Sequence, residues 1–244
     1  MAGGRKSVIV VTRPQPGADK TARHLAARGF APVVCPLTQI VPIDLPVGGW
    51  PQTAFDGMAM TSANAARHAP EALVASMRDK PLFAVGEATA MAARERGFME
   101  VHSADGDVDD LAALIGDRSA AGARLLYLCG RTRTGDLEGK LGGSGMIVTV
   151  HEVYETKIVS QITDSICDIL APVSPSAMVF HSAESARALS ELASSQDIHV
   201  SENTIFFAIS KRVADTLMQH FANRIVVAAN PTEAELLAAI EREL

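Results

Sequence analysis

Aromatic residues are scarce in this chain of 244 residues, which contains one Trp, two Tyr and eight Phe. No apolar run approaches the ~18 residues that a membrane-spanning helix requires. Basic residues are not in excess either, because 22 Lys and Arg face 28 Asp and Glu for a net charge of −6. Nucleic-acid-binding proteins normally show the opposite balance. We therefore expect neither a nucleic acid nor a membrane as a partner.

Cysteine is also rare. Cys35, Cys129 and Cys167 lie far apart, and no Cys or His cluster has the spacing of metal ligands. The first apolar stretch, residues 8–11, is shorter than the ~7–15 apolar residues at the centre of a secretory signal peptide. We expect buried, reduced thiols, no bound metal and a cytoplasmic location.

Common catalytic and nucleotide-binding motifs are absent as well. The chain has no GxxxxGK[ST] loop, no GxGxxG turn after its first predicted strand, no GxSxG elbow and no HExxH helix. These absences disfavour P-loop phosphoryl transfer and dinucleotide binding, together with the usual serine hydrolases and zinc proteases. A reaction of this chain would depend on holding a substrate in one geometry more than on a strong acid–base pair.

Short β-branched runs alternate with Ala- and Leu-rich helical stretches along the whole chain. A strand predicted over residues 7–11 is followed by a helix over 18–28, which Gly29 ends. Likewise, a strand over 57–61 is followed by one helix predicted over 63–77. This alternation is typical of parallel α/β sheets with helices on both faces.

The alternating pattern occurs twice. Residues 61–67 match residues 181–187 at four of seven positions, at an offset of 120, and residues 83–86 resemble 207–210 at an offset of 124. Since the order is kept while the offset changes only slightly, we predict two homologous domains of roughly 120 residues.

The spacing leaves two divisions of the chain open. Each domain could be contiguous, with a boundary near Gly122. Alternatively, the first strand–helix pair of the chain belongs to one domain with the last three pairs. The pair over 124–150 then belongs to the other domain, together with the second, third and fourth pairs. In that arrangement, the extended runs 35–43 and 151–159, which occupy equivalent repeat positions, form a two-stranded linker.

Loops at the carboxyl ends of the predicted strands are the expected ligand sites, because parallel α/β sheets bind ligands there. Most of these loops open a helix with small residues, so that free backbone amides and the helix dipole favour an anion. Arg13 and Arg131 lie in two of these loops and add positive charge. The other candidate residues are Ser62, Ala63, Asn64, Gly86, Glu87, Ala88, Thr89, Ser182, Ala183 and Ser210.

The two tyrosines lie in different settings. Tyr127 belongs to the apolar run 125–128 and is predicted to be core. Tyr154 lies in the run 151–159, where a phenol that faces a cleft could give a proton to a leaving hydroxyl. Packing between domains explains Tyr154 equally well at this point.

Several short motifs, taken in order, resemble the uroporphyrinogen-III synthase family. They are VTRP (11–14), TSANA (61–65), VGEATA (85–90), LYLCGR (126–131), VYET (153–156) and PTE (231–233). The resemblance covers essentially the whole chain and depends on the order and spacing of the motifs. It implies two similar flavodoxin-like parallel α/β domains, residues 1–37 with 159–244 and residues 38–158, joined by a two-stranded linker with a cleft between them.

The resemblance also implies a function, a cofactor-free lyase of tetrapyrrole (haem) biosynthesis. Hydroxymethylbilane, a linear tetrapyrrole with eight carboxylates, loses its hydroxyl as water, and its last pyrrole ring is inverted to give uroporphyrinogen III. By motif position, Tyr154 is the candidate proton donor. Thr89 with the 86–89 backbone, and Ser62 and Ser182 with the amides that follow them, are candidate carboxylate-binding groups.

Two departures from the family pattern affect the second half of the chain. Residues 210–213 read SKRV in place of a Gly-x-x-Thr turn, and His181 stands where the family often has a small polar residue. We expect a monomer that acts on this small-molecule substrate. A non-enzymatic, two-lobed binding or sensor protein for an anionic metabolite is the alternative, and a sugar-nucleotide transferase is disfavoured by the small domains.

Overall fold

The computed structural model describes residues 6–44, 54–133, 135–159, 175–195 and 200–244. The strands are β1 (Val8–Val11), β2 (Ala31–Val34), β3 (Thr38–Pro42), β4 (Gly57–Met60), β5 (Leu82–Ala84), β6 (Val101–Ser103), β7 (Arg124–Gly130), β8 (Ile147–Ile158), β9 (Ala177–Phe180), β10 (Ile205–Ala208) and β11 (Ile225–Val227). The helices are α1 (Gly17–Ala27), α2 (Ala63–His68), α3 (Glu71–Met77), α4 (Glu87–Glu95), α5 (Val108–Arg118), α6 (Leu137–Gly143), α7 (Ala183–Ser195), α8 (Lys211–Met218) and α9 (Glu233–Glu243).

The chain divides into two compact units. Unit 1 consists of Met1–Gln39 and Lys157–Leu244, and unit 2 consists of Ile40–Thr156. The limits of the units fall within β3 and β8, which are neighbours in one sheet. The two-stranded linker and the domain limits at 37/38 and 158/159 stay predictions.

Unit 1 contains a five-stranded parallel sheet in the order β11-β10-β9-β1-β2. Numbered along unit 1, its strands follow the order 2-1-3-4-5 of flavodoxin-like folds. Side chains of β1 alternate between two cores, because successive residues of a strand point to opposite faces. Val10 packs with Phe180 and Phe206 on one face, whereas Ile9 packs with Phe207 on the other. This two-sided burial explains the continuous apolar sequence of the strand.

Unit 2 contains a six-stranded sheet in the order β3-β8-β7-β4-β5-β6, in which β8, β7, β4, β5 and β6 pair in parallel. The order β8-β7-β4-β5-β6 matches β2-β1-β9-β10-β11 of unit 1, with a different starting point along the chain. The sequence repeat corresponds to this shared strand order. The predicted fold class, α/β with parallel sheets, is therefore confirmed.

One predicted helix is wrong. The sequence indicated a single helix over 63–77, but the structure has α2 and α3 with a break at Ala69 and Pro70. Proline has no backbone N–H and disfavours the helical conformation of the residue before it. Ala69 accordingly has an extended ψ of 127°. Pro70 instead precedes the first turn of α3, where its missing N–H costs no hydrogen bond.

Candidate functional site

The cavity of unit 2 lies where the strand order reverses, between β4 and β7. At such a reversal the chain leaves neighbouring strands toward opposite faces of the sheet, which opens a crevice at their carboxyl ends. The cavity has a volume of about 280 Å³. Its lining residues, all in unit 2, are Thr61, Ser62, Val85, Asp107, Val108, Gly130, Thr132, Arg133 and Tyr154.

Tyr154 is held in this cavity by close packing on Gly130. Gly130 pairs with Tyr154 at an irregularity in the β7–β8 ladder. A Cβ atom on Gly130 would lie 2.6 Å from Cζ and 2.9 Å from Oη of Tyr154, so the ring requires glycine at this position. Only 9% of Tyr154 is exposed. Burial raises the pKa of its phenol, while a hydrogen bond with Ser62 acts in the opposite direction. The phenol is therefore protonated at neutral pH and can donate a proton.

Tyr127 lies in the core next to Thr61, a residue of the cavity lining. It is 2% exposed, as predicted for a core residue, and its Oη lies 2.8 Å from Oγ1 of Thr61. Burial raises the pKa of the Tyr127 phenol to about 12, although the hydrogen bond with Thr61 acts in the opposite direction. Tyr127 itself does not line the cavity.

Two arginines follow β7, and glutamates engage both. Arg133 donates to Glu138 Oε1 at 2.9 Å and to Glu152 Oε1 at 3.3 Å. Arg131 donates to Glu152 Oε2 at 3.3 Å and to Glu155 Oε2 at 2.6 Å. Three carboxylates thus balance two guanidinium groups. The positive charge that the sequence placed in this loop is neutralised within unit 2.

Cys129 is not a nucleophile in this site. Burial raises the pKa of its thiol to about 11, although Arg133, whose Nη1 lies 3.4 Å from Sγ, acts in the opposite direction. Burial also opposes the charge of Arg133, yet Cys129 and Glu138 raise the pKa of the guanidinium overall. The thiol therefore stays protonated at neutral pH, whereas nucleophilic cysteines react as thiolates.

Ser62, Ala63 and Asn64 form the start of α2. The Ser62 hydroxyl accepts a hydrogen bond from the Asn64 amide at 3.2 Å, which caps the helix. It also interacts with the Tyr154 phenol. The Asn64 side chain accepts from Arg67 at 3.1 Å. Of the three predicted residues, Ser62 lines the cavity.

Gly86, Glu87, Ala88 and Thr89 form the start of α4. No side chain caps this helix, and a Cβ atom on Gly86 would meet no atom within 4 Å. Glu87 pairs with Arg94 at 2.8 Å, and Thr89 is 5% exposed. The four residues do not line the cavity of unit 2. The Thr89 amide donates to the Gly86 carbonyl at 3.0 Å, whereas the amides of Glu87 and Ala88 have no side-chain cap and can donate to an anion.

Unit 1 has the same reversal, between β1 and β9, and there the strand-end side chains form an ion cluster. Arg13 Nη1 lies 3.0 Å from Glu233 Oε2, and His181 Nε2 lies 2.9 Å from the same oxygen. Thr21 donates to Glu233 Oε1 at 2.6 Å. Arg13, predicted as a ligand-binding residue, is therefore engaged inside unit 1.

Burial and charge act against each other in this ion cluster. Burial raises the pKa of Glu233, but the hydrogen bonds from His181 and Thr21 and the charge of Arg13 outweigh it and hold the pKa at about 2. Burial lowers the pKa values of His181 and Arg13, although Glu233 raises both. Glu233 is thus a carboxylate on which a neutral His181 and a cationic Arg13 converge.

The remaining predicted residues open helices of unit 1. The Ser182 hydroxyl accepts a hydrogen bond from the Ser185 amide at 3.1 Å. Ala183 is the first residue of α7 and is 6% exposed. Ser210 precedes α8 and makes no side-chain cap bond.

Sequence reasoning did not select several residues of the site. Thr61, Asp107, Thr132 and Arg133 line the cavity but are not among the residues that the sequence predicted. Their signal in the sequence was position alone, because each lies just beyond a predicted strand. Glu233 was quoted in the PTE motif without a role.

Within the described residue ranges, no group of three or more His, Cys, Asp or Glu side chains could hold a metal ion. In the same part of the chain, no helix has the length and apolar character to cross a bilayer.

Comparisons with known proteins point to one family. A family model described as uroporphyrinogen-III synthase HemD matches residues 19–238. The chain is similar to the structure of uroporphyrinogen-III synthetase from Helicobacter pylori, with 18% identity, a TM-score of 0.66 and coverage of 98% of this chain and 99% of that one. It is also similar to a mutant uroporphyrinogen III synthase of Thermus thermophilus, with 18% identity, a TM-score of 0.55 and coverage of 97% and 98%. No curated protein matches the chain.

The ion cluster of unit 1 predicts the response to acid. The folded-state pKa of Glu233, about 2, lies below its ordinary value of 4.5. The ionised carboxylate therefore stabilises the fold above pH 4.5, and this stability is lost as the pH falls from 4.5 through about 2. We expect the urea midpoint of Glu233→Gln to vary less than that of the wild type across this window.

Glu235→Gln is the matched control. It removes a charge from the same turn of α9, outside the ion cluster. Its urea midpoint should follow the wild-type pH dependence. A Glu233→Gln variant with the full wild-type acid response would contradict the role given to Glu233.

Proposed function

Because the chain belongs to the uroporphyrinogen-III synthase family, we propose that the cavity of unit 2 is where its substrate reacts. The chain is a lyase of haem biosynthesis. It converts the linear tetrapyrrole hydroxymethylbilane into the macrocycle uroporphyrinogen III with loss of water and inversion of the last ring. The family match favours this enzyme over a non-enzymatic binding protein.

The protonated phenol of Tyr154 is the observation that carries the assignment of the site. Departure of a hydroxyl group is faster when a positioned acid gives it a proton, so that water leaves. Tyr154 has an ionisable O–H, a raised pKa and a fixed ring at the wall of the cavity. In our proposal Tyr154 protonates the leaving hydroxyl, and Ser62 orients the phenol.

The carboxylates of the substrate need donors outside the neutralised arginine pairs. We assign them to the helix starts at Gly86, Glu87, Ala88 and Thr89, at Ser62, Ala63 and Asn64, and at Ser182, Ala183 and Ser210. A guanidinium has five N–H donors. The glutamates and Thr21 use two nitrogens of Arg131 and one of Arg13, which leaves both able to contribute.

The reaction itself is tested with freshly prepared hydroxymethylbilane. Without an enzyme this substrate closes to the uninverted type I isomer, so the isomers report catalysis. We expect the purified protein to form the type III isomer, as resolved by chromatography of the oxidised products. Type I product alone, at the spontaneous rate, would reject the assignment.

Tyr154→Phe tests the proton donor. We expect turnover to fall by about tenfold or more, because a positioned general acid typically contributes ~10²–10⁴-fold, with unfolding in urea almost unchanged. Tyr127→Phe is the matched control, since it removes the other phenol of the chain and leaves Tyr154 in place. Its turnover should stay within about twofold of the wild type. Equal rates in the wild type and Tyr154→Phe would remove Tyr154 from the mechanism.

Gly130→Ala tests the position of the ring without removing the phenol. The added Cβ would lie 2.6 Å from Cζ of Tyr154, so the buried ring must move away from Ser62. We expect turnover to fall about as far as in Tyr154→Phe. Gly116→Ala is the control, because a Cβ there, within α5, meets no atom within 4 Å. This control should gain up to ~1 kcal/mol in stability and keep its activity.

A further inference from the structure

Asp107 lies at the wall of the same cavity as Tyr154. It caps α5: its Oδ1 accepts hydrogen bonds from the amides of Asp109 at 2.7 Å and Asp110 at 3.2 Å, and Asp110 Oδ2 accepts from the Asp107 amide at 2.9 Å. These bonds fix the position of the carboxyl group. Within the described part of the chain, its other oxygen, Oδ2, accepts no hydrogen bond, and Asp107 enters no salt bridge.

The cations around the cavity are bonded to other carboxylates. Arg133 pairs with Glu138 and Glu152. The Lys140 ammonium bonds directly to Asp109 and interacts with Asp107 only at longer range. Two charged side chains line the cavity, and within the described residues Arg133 is ion-paired whereas Asp107 is not. The Asp107 carboxylate attracts a positive charge that forms beside it.

The dehydration step creates such a positive charge. Tyr154 gives its proton to the hydroxyl, and the carbon–oxygen bond breaks with its electron pair on the oxygen, which leaves as water. The methylene carbon becomes cationic, and an electron-rich pyrrole shares that charge through its ring nitrogen. The substituted carbon of the last ring attacks the methylene carbon and gives a spiro intermediate. The older bond from that ring carbon to its bridge then breaks, which leaves the bridge carbon cationic. The free carbon of the inverted ring bonds to this bridge carbon, and the proton released there returns to the Tyr154 phenolate.

We propose that the Asp107 carboxylate stabilises this cation electrostatically while the macrocycle forms. The inference depends on the proposed function, because it requires the hydroxymethyl group to lie beside Tyr154. The Asp107 side chain is exposed to water in the free protein. A bound tetrapyrrole displaces that water, which strengthens the attraction between the carboxylate and the cation.

The charge acts on the transition state more than on the bound substrate, because the hydroxymethyl group itself is uncharged until its carbon–oxygen bond breaks. Loss of such a group lowers kcat more than it changes KM. Removal of one preorganised electrostatic partner typically costs ~10²–10³ in kcat, and more exposed groups cost less. We therefore expect a fall of roughly tenfold to a hundredfold in kcat, with KM within about twofold.

Asp107→Asn separates this charge from the cap, since asparagine accepts the same amide hydrogen bonds. Asp107→Ala removes both. Asp117→Asn is the matched control, because Asp117 is an exposed carboxylate of the same helix and does not line the cavity. We expect low kcat in both Asp107 variants and wild-type kcat in Asp117→Asn. Wild-type kcat in Asp107→Asn, with a loss only in Asp107→Ala, would make Asp107 a helix cap alone and overturn the proposal.

A binding measurement keeps the test independent of turnover and of folding. The probe is a bilane that carries an aminomethyl group, protonated at neutral pH, in place of the hydroxymethyl group. We expect it to inhibit the wild type more tightly than the corresponding methyl bilane, and Asp107→Asn to lose most of that preference. Equal preference in both proteins would overturn the inference.

The proposed function and the role of Asp107 are rejected by different results. A wild-type protein that forms no type III isomer would reject the proposed function. A wild-type protein that forms this isomer, beside an Asp107→Asn variant of equal kcat and equal preference, would reject the role of Asp107 alone.

Discussion

The reversal of strand order between β4 and β7 determines where unit 2 can bind a ligand. Parallel strands end at one edge of the sheet, and helices that leave β4 and β7 toward opposite faces cannot cover the gap between them. Thr61 and Ser62 follow one strand, Gly130 and Arg133 lie at the end of the other, and all four line the cavity. The strand order thus determines where the cavity lies, and the lining side chains determine which ligand it can bind.

Unit 1 has the same strand order, but the side chains at its reversal form an ion cluster. At the repeat-equivalent of Thr61 stands His181, at an offset of 120, and at the equivalent of Val108 stands Glu233, at an offset of 125. These larger polar side chains meet Arg13 and form the ion cluster. The two units therefore share the reversal of strand order, and in unit 1 the side chains at this point form an ion cluster whose charges pair with one another.

The alternation of strands and helices and the repeat were visible in the sequence because both depend on local periodicity. Ser62 and Tyr154 were visible because they follow or lie in recognisable strands. The pairing of Arg131 with Glu152 was not, because it joins residues 21 positions apart through the register of β7 and β8. Pro70 itself indicated the break between α2 and α3, but the Ala-rich sequence on either side favoured one continuous helix.

The size of the cavity limits how much of the substrate it can hold. Sites that enclose whole drug-sized ligands occupy ~300–1,000 Å³, whereas this cavity has about 280 Å³. A tetrapyrrole is larger than most such ligands, so only the reacting end fits inside. In the proposed binding mode, the hydroxymethyl group lies beside Tyr154 and Asp107, and the carboxylates of the same ring must reach donors other than Asp107. A bilane held in this way has one ring positioned for attack while the others stay outside the cavity.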